Sequence, residues 1–221
     1  MTLEGTNTYL YGSDPCVVID PGVEDESHLA AIGAAAEERG GVGLVLLTHS
    51  HADHAGGAEA FGVEVVAPAG EERHGGLRVL ATPGHAADHV CFLSDDGVCF
   101  SGDLVLGLGS TIVPPGGGAL RAFMDSLALL REEAIDLIAP GHGPWITEPE
   151  AKLAEYVEHR LMRERRLLAA LDRGERSRAA LLAEAWDDVP VELLPMAAMA
   201  MDAHLEKLEE EGRLSGGQLV A

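Results

Sequence analysis

The segment Thr48-His49-Ser50-His51-Ala52-Asp53-His54-Ala55-Gly56-Gly57 follows directly on an apolar run, Leu44-Val45-Leu46-Leu47. No other feature constrains the chain so strongly. At this chain's own His and Asp frequencies such a run arises by chance in about one chain in a thousand of this length. In an extended segment, imidazoles at i and i+2 point the same way and can grip one cation. Asp53 and His54, where the chain bends into a helix, can then face a second. Imidazole and carboxylate donors together favour zinc, with iron and manganese as alternatives.

A single such run also suits a mononuclear site, so further ligands must be sought at equivalent places. Three more apolar runs end the same way. Arg78-Val79-Leu80-Ala81-Thr82 leads to Pro83-Gly84-His85, Val98-Cys99-Phe100-Ser101-Gly102 to Asp103, and Asp136-Leu137-Ile138-Ala139-Pro140 to Gly141-His142. Taken alone, His85 and His142 read as hydrogen-bonded loop histidines, and Asp103 as a turn residue or cap. Together they describe loops at the carboxyl ends of strands, where α/β sheets place their sites. Four such loops converging on one point would deliver His49, His51, Asp53, His54, His85, Asp103 and His142. His89, four residues past His85, reads as a partner behind the ligands or as a proton donor.

Apolar runs at 16–19, 44–47, 63–66, 77–81, 90–93, 98–100 and 135–139 alternate with helical segments at 27–39 and 120–131, which predicts an α/β domain. Thr147, with Glu150 three residues on and Pro149 between them, has the spacing of a capping box, and the helix it opens runs to Gly174. Helices over 177–186 and 191–211 and a small hairpin over 212–220 then suggest a module of winged-helix size. The expected division is therefore a catalytic domain over 1–148 and a helical domain over 149–221.

Charge narrows the partners. The 221 residues carry a formal net charge of −22, and net −18 of it lies within residues 1–150. This charge, with only 4% aromatic residues to stack on bases, opposes nucleic-acid binding in general. No run is long and apolar enough to span a bilayer and no leader pattern opens the chain, so a cytoplasmic protein without membrane contact is expected. Cys16, Cys91 and Cys99 each sit in an apolar run and read as buried free thiols.

These residues resemble the metallo-β-lactamase superfamily, whose members hold two metals in an αββα sandwich. The resemblance implies that His49, His51 and His85 hold one metal, that Asp53, His54 and His142 hold the other, and that Asp103 bridges them. By the same resemblance true β-lactamases typically lack the bridging Asp, and the subclass with a ligand Cys places it near this position, where no Cys is available here, so drug hydrolysis is not expected. Thr6-Asn7-Thr8-Tyr9-Leu10, Asp88-His89-Val90, Val105-Leu106-Gly107, Gly143-Pro144 and His159-Arg160 with Arg163-Glu164 resemble the beta-lactamase-like protein 2 group, which joins the hydrolase domain to a small winged helix. One departure is that relatives carry an additional segment before the stretch matching 1–6, so either the start is misassigned or an edge strand is missing.

Two cations sharing a solvent molecule lower its pKa from 15.7 to about 7, giving a hydroxide nucleophile that Asp53 would orient. A dinuclear zinc hydrolase acting on a small ester or thioester is the favoured expectation. Single-stranded RNA is the alternative, because the resemblance includes an endoribonuclease and residues 160–178 carry net +4. A third reading, a non-catalytic DNA-binding winged helix, meets an acidic recognition segment over 196–211. The Met196, Met199 and Met201 cluster reads as core or as a homodimer contact.

Overall fold

Every apolar run of the first part becomes a strand, all but the edge strand over 64–66 carrying buried residues, and the alternation along each strand decides which layer it feeds. The computed structural model describes residues 5–70 and 72–214. One sheet has the order β1 (Tyr9–Tyr11), β2 (Cys16–Ile19), β3 (Val42–Leu46), β4 (Glu64–Val66). The other has the order β5 (Arg73–His74), β6 (Leu77–Ala81), β7 (Val90–Leu93), β8 (Val98–Gly102), β9 (Leu137–Pro140). In the first sheet β2, β3 and β4 are parallel; in the second only β8 and β9 are.

Val17, Ile19 and Leu46 of the first sheet meet Leu77, Val79, Val90, Phe92 and Phe100 of the second between the layers. The intervening residues face outward. Val18, Val45 and Leu47 pack with Ile32 of α1 (Glu26–Glu37), while Leu80, Cys91, Leu93 and Cys99 pack with Phe123, Leu127 and Leu130 of α3 (Ala119–Arg131). The result is an αββα sandwich. Strands covered on both faces explain why the runs read as continuously apolar. All three cysteines are free and buried, as expected.

Sequence patterning places most elements within a few residues. It misses β1 and β5, which are three and two residues long. The short α2 (Ala52–Ala55) carries the end of the His-rich run.

Helix α4 (Pro149–Asp172) leaves the second sheet, and α5 (Arg178–Ala185) and α6 (Leu194–Glu210) pack on its distal half around Leu167, Leu171, Leu181, Trp186, Met201 and Leu205. The Thr147 capping box does not form: Glu148 is the N-cap, no side chain caps the helix, and Pro149 at its first turn limits the loss. The helix predicted over 191–211 begins as a 3-10 turn over Val191–Leu193. Of the methionine cluster Met201 is buried and Met199 is exposed. Most of the terminal hairpin predicted over 212–220 lies outside the described residues. Among the described residues no helix is long and apolar enough to cross a membrane.

His204 of α6 is 1% exposed, and burial, with Arg160 and Lys207 nearby, pushes its pKa down to about 3. An unfolded histidine binds a proton near pH 6.5, so the unfolded state takes up more protons below that pH. The contribution of His204 is therefore complete above pH 6.5 and is lost as pH falls towards its folded value. At pH 5 the loss is about 2 kcal/mol relative to neutral pH. Urea unfolding at pH 7.5 and pH 5 should show His204→Leu losing less stability than wild type by about that amount, and equal losses would refute it.

Candidate metal centre

Parallel pairing brings strand ends together, and the site is built on two such pairs. The carboxyl ends of β2 and β3 deliver Asp20 and the segment 48–54; those of β8 and β9 deliver Asp103 and His142. His85 arrives from the end of β6. Glycine is required where these turns meet. At Gly102, with φ +46°, an added Cβ would lie 2.6 Å from Thr48 Oγ1, and at Gly141 it would lie 2.6 Å from Asp103 Oδ1.

The structure brings all seven expected ligand residues to one place. His51 Nδ1 lies 2.9 Å from His49 Nε2 and 3.0 Å from His85 Nε2. On the other side Asp53 Oδ2 lies 3.4 Å from His142 Nε2 and 3.9 Å from His54 Nε2. Asp103 stands between the groups. Its Oδ2 is 3.5 Å from His85 Nε2, and its Oδ1 is 3.4 Å from both His54 Nε2 and His142 Nε2. The donor atoms of His49, His51 and His85, and those of Asp53, His54 and His142, each fall within 4.8 Å of one another.

Four of the five rings are aimed from behind. His54 Nδ1 donates to Asp20 Oδ2 at 2.8 Å, His85 Nδ1 to the Ile112 carbonyl at 2.8 Å, and His142 Nδ1 to the Gly5 carbonyl at 2.8 Å. Thr48 Oγ1 donates to Asp20 and can accept from His49 Nδ1 at 3.0 Å. These four outward contacts suit a proton on the outward nitrogen, so that a cation at the centre, displacing any second proton, would meet the Nε2 lone pairs, as metal-ligating histidines require. His54 Nε2 and Asp103 Oδ1 are buried without a hydrogen-bond partner. A cation between the donors would satisfy both, so the residues fit a metal. His51 is exposed and Asp53 and His85 are half-buried, so the cluster opens on that side.

Charge is strongly coupled here. Burial lowers His49 to about 4, whereas at His54 the carboxylates of Asp103 and Asp20 overcome burial and push it up to about 10. Burial would raise Asp103, but His142 and His54 hold it well below the carboxylate range.

Of the two readings of His89 the structure fits the partner behind the ligands, and one further residue, Asp20, joins the site. His89 is buried and both its nitrogens are taken: Nε2 accepts from the Asp103 amide at 3.1 Å, and Nδ1 pairs with Thr82 Oγ1 at 2.9 Å. It stands behind Asp103, where it has no proton to give the open side. Asp20 was not singled out in the sequence, yet its carboxylate holds both Thr48 and His54, and the Thr48 amide besides at 2.8 Å. The available signal was an Asp ending an apolar strand, as at Asp103, but the following Pro21-Gly22 reads as an ordinary turn.

A helix–sheet–sheet–helix sandwich with a His/Asp cluster at its strand ends defines the class of protein. Residues 1–73 and 61–143 match the metallo-beta-lactamase superfamily, and residues 178–216 match the beta-lactamase associated winged helix domain. The beta-lactamase-like protein 2 homolog of Drosophila melanogaster is 32% identical over 97% of this chain and 85% of its own length. The chain therefore belongs to the metallo-β-lactamase superfamily of metal-dependent hydrolases, with a C-terminal winged helix. An atrochrysone carboxyl ACP thioesterase of Aspergillus chevalieri is 34% identical over 80% of this chain, which spans 64% of that protein's length. Among solved structures, a metallo-beta-lactamase family protein of Thermus thermophilus superposes with TM-score 0.74 at 23% identity, covering 94% of this chain and 89% of that one. A protein solved in a di-iron-bound form superposes with TM-score 0.57 at 30% identity, covering 67% and 93%.

Asp20→Asn replaces the acceptor behind His54 and Thr48 while keeping its shape. Metal affinity, measured by chelator competition, should fall about 10- to 100-fold. Wild-type affinity in the variant would show that Asp20 does not orient the ligands.

Proposed function

We propose that the protein is a dinuclear zinc hydrolase of small esters or thioesters, with the chemistry carried by residues 1–148. His49, His51 and His85 would hold one cation and Asp53, His54 and His142 the other, with Asp103 placed to serve both. The observation that carries this reading is that two donor trios flank one carboxylate, whose two oxygens face different trios, while His49, His54 and Asp103 group across them. When bound, the cations lower the pKa of water to about 7 and polarise a carbonyl oxygen, which supplies both nucleophile and electrophile. Asp53, half-buried on the open side, orients the attacking water through its carboxylate. His89 is a positioning residue that fixes the backbone of Asp103 through Nε2. The likeness to a fungal acyl-carrier thioesterase supports an acyl substrate.

The positive run over 160–178 was the feature favouring RNA, and its charges are engaged within the chain. Arg163 pairs with Asp188, Arg165 with Glu158, Arg166 with Asp187, Arg173 with Glu184 and Arg178 with Asp202. Arg160 is buried, and Arg176 donates to backbone carbonyls. Little of the run is left to meet a phosphate backbone, which supports the small-molecule reading.

His51→Ala should lose metal and turnover together, since it removes an exposed ligand without emptying the core. Metal analysis and assay against thioesters, lactones, phosphodiesters and labelled single-stranded RNA test the reading. Robust chelator-sensitive RNA cleavage without acyl hydrolysis would overturn the substrate class. Full activity in His51→Ala would overturn the metal assignment.

A further inference from the structure

The motif Thr6-Asn7-Thr8-Tyr9-Leu10 meets the metal centre without supplying a donor to either trio. Residues 5–9 run into β1 beside the turn at residues 140–143, which carries His142 at the end of β9. Four groups of this short segment close on that turn. The Gly5 carbonyl accepts from His142 Nδ1 at 2.8 Å, and the Asn7 amide donates to the Gly141 carbonyl at 2.7 Å. Asn7 Nδ2 donates to the Pro140 carbonyl at 2.9 Å and to the Gly143 carbonyl at 2.8 Å. The Tyr9 hydroxyl donates to the Pro140 carbonyl at 2.8 Å.

What lets the turn approach the site also makes it need holding. Gly141 packs so closely that an added Cβ would lie 2.6 Å from Asp103 Oδ1 and 2.7 Å from His54 Cε1, and Gly143 has φ +83°. Two glycines within four residues permit this path, and they also give the unfolded turn more backbone freedom to lose than other residues would. From the Asp103 side two backbone bonds restrain it: the Gly141 amide donates to the Gly102 carbonyl at 2.7 Å, and the Gly107 amide to the His142 carbonyl at 2.9 Å. The His142 ring takes its aim from the opposite side, from Gly5.

Asn7 spans His142. Its side-chain nitrogen carries two protons, and each meets a carbonyl, one two residues before the histidine and one a single residue after it. An aspartate of the same shape would turn a carboxylate oxygen toward both carbonyls, and an alanine would leave both without this donor. Among the described residues Asn7 makes no hydrogen bond to His49, His51 or His85, so its hold falls on the second trio.

We propose that Asn7 is a positioning residue for the cation that Asp53, His54 and His142 would hold. It fixes the turn that sets His142 Nε2 at 3.4 Å from Asp53 Oδ2 and from Asp103 Oδ1. Asn7 thereby sets the affinity of one metal position and leaves that of the other unchanged, an assignment that rests on the dinuclear reading above.

Chelators of increasing strength, added to the zinc-loaded protein, test this, with the ¹⁵N imidazole resonances of His51 and His142 reporting the two positions separately. In Asn7→Ala and Asn7→Asp the free zinc concentration at which His142 is half-released should rise about 10- to 100-fold, while that for His51 stays within about twofold. Asn7→Asp is the sharper variant, because it keeps the side chain's shape and removes only its donors. Should neither variant fold, Tyr9→Phe, which takes one donor from Pro140, should shift His142 the same way by a smaller factor. Wild-type release of His142 in Asn7→Asp overturns the assignment and leaves the dinuclear reading standing. Equal shifts at both histidines also overturn it, since they mark a general loosening of the fold. A wild-type chain that binds one zinc, among His49, His51 and His85 alone, overturns the dinuclear reading and this assignment together.

Discussion

Five imidazoles and two carboxylates crowd one corner of this protein, and four of the five rings are held there from behind, a requirement that the rest of the structure serves. Ring centroids stand 4.2 Å apart for His49 and His54 and 5.2 Å apart for His54 and His142. Rings this close would turn away from one another if they were free. Asp20, Thr48 and the carbonyls of Gly5 and Ile112 fix their outward nitrogens instead. Because those partners come from β2, the loop after β3, the N-terminal segment and the loop before α3, the site requires both sheets to be in register before it exists.

The C-terminal helices share in this arrangement without supplying a ligand. Arg160 of α4 holds Thr111, and Thr111 holds the backbone of Asp103, while the next carbonyl, that of Ile112, orients His85. From α6, Glu206 accepts from the Gly116 amide and Glu210 pairs with Arg121 at the start of α3. The loop between Asp103 and α3 is thus fastened at several points to helices outside the sandwich. This accounts for acidic residues on α6 at positions where a nucleic-acid-reading helix would carry basic ones.

How much of this was legible in the sequence follows from the range of each signal. The ligands were legible because each stands at the end of an apolar run, so strand geometry and side-chain chemistry point to the same residues. The two sheets were legible as runs, and their pairing into a sandwich came from resemblance. Asp20 was not legible, since one acidic residue before Pro-Gly looks like any turn. β1 was missed because three residues carry no measurable alternation, and the Thr147 cap failed because Glu148 took its place. The positive run over 160–178 shows the limit most clearly: its charge is real, but the acids that neutralise most of it come from the same helix, from α5, from the turn after it, and from α6, which linear counting cannot pair.

The central claim is that two donor trios share Asp103. Anomalous diffraction from crystals of the zinc-loaded protein, recorded at the zinc edge, tests it most directly. The account predicts two peaks, one among His49, His51 and His85 and one among Asp53, His54 and His142, with Asp103 contacting both. A single peak, or peaks away from these residues, would contradict it.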